Sequence, residues 1–141
     1  MTEKSIQEII PLVQKKNIQE VTAVVGIIQK GNKYFIQQRP SKGLLADLWE
    51  FPGGKVEKGE SLEKALKREI KEELNTEVIQ LKSLGKVVHF YTQFKVALNA
   101  FIIKINSNPE TNLIHKWIPF KSFNQYPMPS GSAKIVELLK A

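Results

Sequence analysis

A glycine-rich loop that runs directly into a helix with three closely spaced acids is the feature that most constrains this chain. The stretch reads FPGGKVEKGESLEKALKREIKEEL and extends from Phe51 to Leu74. On a helix with about 3.6 residues per turn, Glu69, Glu72 and Glu73 stand at i, i+3 and i+4 and share one face. Like charges at that spacing repel, and a divalent cation would remove the repulsion. Carboxylate oxygens suit a hard ion, magnesium or manganese, which also contacts substrate phosphates.

The sequence also predicts the ends and the buried side of this helix. Ser61 is the expected N-cap, and Glu63 lies in the first turn, where the helix dipole favours negative charge. An apolar stripe repeats every four positions: Leu62, Leu66, Ile70 and Leu74. The acids lie beside this stripe, so we expect them at the rim of the core rather than in solvent. Gly53 and Gly54 let the backbone approach a ligand where a side chain would obstruct it.

Length and composition indicate one domain and agree with a cytoplasmic location and an anionic partner. The 141 residues suffice for a single domain with a substantial core. The chain has no cysteine, which excludes disulfides, thiolate zinc sites and iron–sulfur clusters and agrees with a reducing cytoplasm. No apolar run approaches the ~18 residues of a membrane span, so we expect no membrane partner. The formal net charge of +7 suits a polyanion such as a nucleotide or nucleic acid and is also compatible with simple solubility.

Strand-like and helix-like segments together predict an α/β fold with a mixed sheet between helices. We expect strands over residues 20–29, 34–39, 77–82, 85–91, 94–105 and 115–118 and a closing helix over residues 132–139. Residues 119–129 are expected to be irregular. The chain divides into a leader or linker remnant over residues 1–19 and one domain over residues 20–141.

The acids belong to a longer spaced pattern. Taken alone, REIKEEL at residues 68–74 is also typical of an ordinary solvated helix face. However, five residues separate Gly54 from Glu60, seven more lead to Arg68–Glu69, and Glu72–Glu73 follows after two. This spacing resembles the Nudix box, Gly-x5-Glu-x7-Arg-Glu-U-x-Glu-Glu-x-Gly-U with U apolar, and matches its fixed positions up to the last two. The resemblance favours a functional role for the acids.

The two departures from the Nudix box lie just after the helix. Asn75 replaces the glycine, and since Asn is the next-best residue for a left-handed helix cap, we expect the turn to be kept. Thr76 replaces the final apolar residue, which alters the packing after the helix but touches no proposed metal ligand.

Flanking segments are similar to two branches of the Nudix family. The segments are QQRPSKGLLADLWEFPGGK, VVHFYTQFKV, HKWIPF and YPMPS. One branch comprises the MutT-type nucleotide-cleaning hydrolases, and the other is the C-terminal domain of MutY-type adenine glycosylases, which helps to recognise 8-oxoguanine in DNA. The similarity covers roughly residues 18–140 and implies the Nudix α/β/α sandwich with a mixed β-sheet.

The MutT-type resemblance implies a metal-dependent hydrolase. Such enzymes cleave a nucleoside triphosphate, for example 8-oxo-dGTP, to the monophosphate and pyrophosphate. By position, magnesium or manganese would be held by Gly54, through its carbonyl, and by Glu69, Glu72 and Glu73. The catalytic residues would be Glu72 or Glu73 as the base, with the choice left open, and Arg68 in a supporting role.

The same resemblance implies roles for two further acids, Glu60 and Glu110. Arg68 would pair with Glu60 or with a ligand carboxylate and so fix its rotamer. In such enzymes a further acidic ligand often comes from the loop before the last strand, where Glu110 is the nearby candidate.

The resemblance also implies a pocket for the base of the substrate. Arg39, Glu50 and Phe51 match positions that line the nucleotide site in MutT-type enzymes. The segment from Ser130 to Ser132 falls where these enzymes place a purine-reading polar side chain. Glycosylase domains place an 8-oxoguanine-contacting motif there, which here reads Gly131-Ser132-Ala133 and lacks the usual aromatic residue and histidine.

The sequence is therefore compatible with two functions from different classes. The first is a nucleoside triphosphate pyrophosphohydrolase, and the second is a non-catalytic module that recognises 8-oxoguanine in DNA. A module freed from hydrolysis has no physical reason to keep three mutually repelling carboxylates, and this chain keeps all three. The acids favour the enzyme.

Overall fold

The computed structural model describes residues 19–43, 45–90 and 94–140, which form seven strands, two α-helices and one 3-10 helix. In chain order these are β1 Gln19–Lys30, β2 Lys33–Gln38, β3 Trp49–Glu50, β4 Gly53–Lys55, α1 Leu62–Leu74, β5 Val78–Phe90, β6 Phe94–Ile105, β7 His115–Pro119, the 3-10 helix Phe120–Gln125, and α2 Ser130–Leu139. None of these helices is long and apolar enough to cross a membrane.

The sheet is mixed and is organised around β1. Strand β6 runs parallel to β1 over almost its whole length, and β5 pairs antiparallel with β6. On the other side of β1, β4 pairs antiparallel at residues 23–25 and β2 at residues 29–30. Strands β3 and β7 then pair antiparallel with β2. The predicted mixed sheet is confirmed.

Strand β1 is buried on both faces because helices cover both sides of the sheet. Val24 and Ile28 face α1 and join the core around its apolar stripe. Val25 and Ile27 face the opposite way, toward α2 and the 3-10 helix. This arrangement explains the nearly continuous β-branched run EVTAVVGIIQ, since a strand with no solvated face needs no polar alternation. The layers form the expected α/β/α sandwich.

Helix α1 begins and ends as predicted. Ser61 Oγ accepts a hydrogen bond from the Lys64 N–H at 3.1 Å, and Asn75 caps the other end in the left-handed conformation with φ 51°. Leu66 and Ile70 are fully buried. Thr76 is also buried, and its hydroxyl contacts Asn106 Oδ1 at 3.2 Å, so a hydrogen bond replaces apolar packing after the helix.

Other boundaries differ from the sequence-based expectation. The two short strands predicted over residues 77–82 and 85–91 are one strand, β5, with register shifts at Val78/Gln80 and Ser83/Gly85. Gly85 has φ 144°, so the chain accommodates a bulge there instead of ending the strand. The irregular segment contains the 3-10 helix, and α2 starts at Ser130. Residues 1–18 of the predicted leader lie outside the described residues. Gln19, the last residue of the predicted leader, is the first residue of β1.

Candidate active site

Two of the three predicted metal-binding acids of helix α1 point toward the protein interior. Glu69 and Glu73 are only 2% and 7% exposed, whereas the Glu72 side chain is 42% exposed. The expectation that all three avoid solvent is therefore wrong for Glu72. The helical period places Glu72 almost opposite the apolar stripe centred on Ile70, so its carboxylate faces out while its neighbours face in.

The backbone of β4 packs directly against these acids. A Cβ atom at Gly54 would lie 2.5 Å from the carboxyl carbon of Glu69, and one at Gly53 would clash with the carbonyl oxygen of Val24. The Gly53 N–H donates to Oε2 of Glu73 at 3.2 Å. Both glycines are thus required by close approach: β4 is held between β1 and the acidic face of α1.

Arg68 links the loop to the acids of the helix. Its guanidinium donates to both oxygens of Glu60, at 2.7 and 2.9 Å, and to Oε2 of Glu69 at 2.8 Å. It also donates to Oε1 of Glu72 at 3.5 Å and to the Lys55 carbonyl at 3.1 Å. The sequence left open whether Arg68 pairs with Glu60 or with a ligand carboxylate, and the structure has both contacts.

These contacts shift the affinities of the acids for protons. Hydrogen bonds from Arg68 are the main cause of a lowered Glu60 pKa, about 2, and pairing with Glu60 and Glu69 raises the pKa of Arg68. For Glu73 the change is opposite: burial, together with the nearby carboxylates of Glu69 and Glu50, raises its pKa to about 8. Glu73 is thus a buried carboxyl that, without a cation, resists ionisation.

A residue that no sequence motif singles out also contacts Glu73. Gln37 in β2 is 1% exposed, and its Nε2 donates to Oε1 of Glu73 at 3.5 Å. A sequence signal for it exists, since Gln37 shares one face of the strand with the buried Phe35, where an apolar side chain is the norm.

The carboxylate oxygens of this site are of the kind that binds a hard divalent cation. Among the described residues, no group of three acids lies close enough together to hold one in this conformation. Glu69 Oε1 is buried and accepts no hydrogen bond from the described residues, which leaves a carboxylate oxygen for a ligand. Arg68 lies between Glu69 and Glu72 and supplies the positive charge at this face. An all-oxygen donor set of this kind matches magnesium or manganese.

A small cleft of about 40 Å³ brings most of the predicted base-pocket residues together. Glu50, Phe51 and Ser132 line it, together with Gly53 and residues from the middle of β1 and β6. Ser130, the exposed first residue of α2, is not among the lining residues. The cleft is thus built from β1, the β3–β4 segment, β6 and the start of α2.

Two predicted residues occupy other positions. Arg39 is 2% exposed and lies behind the cleft wall, where its Nη1 donates to Oε1 of Glu50 at 3.3 Å. Glu110 lies at the C-terminal end of α1, where its carboxylate accepts from Asn75 Nδ2 at 3.2 Å and its N–H donates to the Leu74 carbonyl. Arg39 thus contacts the pocket through Glu50, and Glu110 contacts the helix cap.

The fold and this site define a class of proteins in which a glycine loop packs a helix of acids against a mixed sheet. The profile of the family described as NUDIX domain matches residues 23–138, and the chain belongs to this family. It is a Nudix hydrolase.

Relatives and a solved structure agree with this assignment. The chain is 34% identical to the 8-oxo-dGTP diphosphatase of Buchnera aphidicola subsp. Schizaphis graminum over 120 residues, 83% of this chain and 91% of the relative. It is 38% identical to the CTP pyrophosphohydrolase of Escherichia coli over 129 residues, 86% of this chain and 92% of the relative. The solution structure of the E. coli ORF135 protein superposes with TM-score 0.78 at 27% identity, covering 87% of this chain and 90% of that one.

The chain is also similar to a protein of the second branch, the MutY-type adenine glycosylases. The chain is 27% identical to the adenine DNA glycosylase of Mus musculus over 112 residues, which span 77% of this chain and 22% of that protein.

Proposed function

We propose that this protein is a metal-dependent nucleoside triphosphate pyrophosphohydrolase that removes oxidised purine nucleotides, with 8-oxo-dGTP as the leading substrate. The observation that carries the proposal is the double role of Gly53. It lines the cleft that contains Glu50 and Ser132, and its N–H holds the carboxylate of Glu73. Gly53 therefore connects the residues of the base pocket to Glu73, one of the acids proposed to hold the metal ion.

The roles of the acids follow from their burial. Magnesium or manganese would be held by Glu69, Glu72, Glu73 and the Gly54 carbonyl, and when bound it would neutralise the phosphates and activate water. Arg68 fixes the Glu69 carboxylate through its 2.8 Å contact. In the hydrolysis, water attacks phosphorus, the phosphoanhydride bond that joins the monophosphate part to the pyrophosphate part breaks, and the monophosphate and pyrophosphate separate. A carboxylate takes the proton of the attacking water. Glu72 suits this last role because it reaches solvent, whereas Glu73 is buried.

The chemistry of the cleft favours a base with several N–H donors. Glu50 contributes a carboxylate, which only accepts hydrogen bonds when it is ionised. Arg39 contacts one of its oxygens and so restricts its orientation. Guanine-type bases carry adjacent N–H donors at one edge, which a carboxylate accepts together. The diphosphatase relative supports this substrate class, and the CTP-cleaving relative makes cytidine nucleotides the principal competitor.

The decisive experiment is pyrophosphate release across ordinary nucleotides, 8-oxo-dGTP and 8-oxo-GTP, with and without magnesium. We expect magnesium-dependent turnover that is highest for the oxidised guanines, and CTP as the best substrate would overturn the substrate assignment. The matched variant is Glu73→Gln, which should keep the fold and lose about 100-fold or more in turnover. Near-normal activity of this variant at saturating magnesium would remove Glu73 from the ligand set.

A second candidate function is recognition of 8-oxoguanine in DNA without catalysis. The similarity to a segment of an adenine DNA glycosylase supports it. A folded protein that releases no pyrophosphate from any nucleotide, yet binds DNA containing 8-oxoguanine more tightly than matched DNA, would establish this function instead. For the hydrolase, we propose a cytoplasmic location, where its nucleotide substrates are found.

A further inference from the structure

Gln37 is a buried amide in β2, a strand that has a paired strand on each side of this residue. Its Cα lies opposite Glu50 of β3 on one side and opposite His115 of β7 on the other, so strands cover both of its flanks. With 1% of its surface exposed, the amide has lost its hydrogen bonds to bulk water. Burying an amide costs free energy unless a polar group meets it, so its position calls for a specific partner.

That partner is the carboxylate of Glu73. The Gln37 Nε2 donates to Oε1 at 3.5 Å, while the Gly53 N–H donates to Oε2 at 3.2 Å. The two donors approach different oxygens of one carboxylate and therefore restrict its rotation. Gln37 Oε1 accepts no hydrogen bond from the described residues, so no described donor at the other end of the amide fixes its orientation.

We propose that Gln37 is a positioning residue that holds the Glu73 carboxylate in the orientation in which it binds the divalent cation. The inference rests on the proposed function, because it takes Glu73 to be a metal ligand. Gln37 itself touches neither metal nor substrate in this assignment. It acts through Glu73, as outer groups around metal sites commonly act through the ligands they orient.

The chain supplies a matched control in the adjacent residue. Gln38 has the same side chain but points to the other face of β2, where its Nε2 donates to the exposed Asp47 carbonyl at 3.0 Å. Gln37→Met keeps the length of the side chain and removes the amide. We expect Gln37→Met to weaken Mn²⁺ binding, measured from the electron paramagnetic resonance signal of free Mn²⁺, by roughly 10-fold. Gln38→Met should leave the affinity unchanged.

A double-mutant cycle with Glu73→Gln separates positioning from general packing. If Gln37 acts through Glu73, then Gln37→Met should cause little further loss of Mn²⁺ affinity once the Glu73 carboxylate is gone. An equal loss in both backgrounds, or no loss in the wild-type background, would overturn the inference. Because the readout is affinity and not turnover, the cycle also works with variants that are catalytically inactive.

Two outcomes distinguish this inference from the proposed function. Wild-type protein that binds Mn²⁺ no better than Glu73→Gln would remove Glu73 from the ligand set and overturn the inference, while magnesium-dependent pyrophosphate release would still decide the proposed function. Wild-type binding that Glu73→Gln weakens and Gln37→Met does not would overturn the inference alone. If Gln37→Met does not fold, the side-chain amide signals of wild-type protein decide: magnesium should shift the Gln37 signals and not those of Gln38, and unshifted Gln37 signals would overturn the proposal.

Discussion

The guanidinium of Arg68 binds both carboxylate oxygens of Glu60 while a third N–H bond reaches Glu69. The Arg68 side chain therefore links Glu60, in the loop before α1, to the buried Glu69 on the inner face of the helix. Bidentate pairs of this kind restrict both partners, and Arg68 is in addition held by the Lys55 carbonyl. The orientation of Glu69 thus depends on a residue of the preceding loop.

The Arg68 pair predicts a pH-dependent contribution of Glu60 to stability. Its pKa falls from an ordinary 4.5 to about 2 in the folded protein, so the contribution is fully present above about pH 4.5 and is lost as the pH falls toward 2. Urea unfolding of wild type and Glu60→Gln should show the variant less stable at pH 6, with the difference shrinking at pH 3. A difference in unfolding free energy that is constant over this range would contradict the assignment.

Glu73 predicts the opposite trend in metal-free protein. Burial raises its pKa from 4.5 to about 8, so the unfolded chain releases this proton at lower pH than the folded chain. Wild type should therefore lose stability as the pH rises from about 4.5 through 8, and Glu73→Gln should escape this loss. In the presence of a chelator, the melting temperature of the variant should rise relative to that of wild type across this pH range. A difference in melting temperature that does not change with pH would argue against a buried carboxyl that retains its proton.

Gly54 predicts a steric test of the acid site. In Gly54→Ala the new Cβ would lie 2.5 Å from the Glu69 carboxyl carbon, so Glu69 must move and we expect Mn²⁺ affinity to fall by about 10-fold. Gly59→Ala is the comparison, because its Cβ meets nothing within 4 Å and its φ of 80° strains only the backbone. Gly59→Ala should lower the melting temperature with little change in affinity, and equal affinity losses would show that contact with Glu69 is not the cause.

Ser132 predicts a change in base preference. Because Ser132 lines the cleft and Ser130 does not, Ser132→Ala should alter the ratio of kcat/KM between 8-oxo-dGTP and CTP more than Ser130→Ala does. The loss of one hydrogen bond to a neutral partner corresponds to about 1 kcal/mol, roughly a 5-fold change in that ratio. Magnesium dependence should stay the same in both variants. An unchanged ratio in Ser132→Ala would remove this residue from the base pocket.

Much of helix α1 was predictable because its determinants are local. Ser61 caps an N–H three residues on, Asn75 takes the left-handed turn, and the apolar stripe follows the helical period. The same period places Glu73 beside the apolar stripe and Glu72 almost opposite Ile70, so the acids do not share one depth. Glu72 therefore lies in solvent and Glu73 in the core, although both belong to one motif.

By itself, the sequence determined the helix with its caps, the spacing of the acids, and the buried strands β1 and β6. Each of these depends on neighbours within a few residues or on a regular repeat. Only the tertiary structure decided that Gln37 meets Glu73 across 36 positions of the chain and that Arg39 lies behind Glu50. Those partners meet because strands pair in one register and pack under one helix, and no local pattern encodes that register.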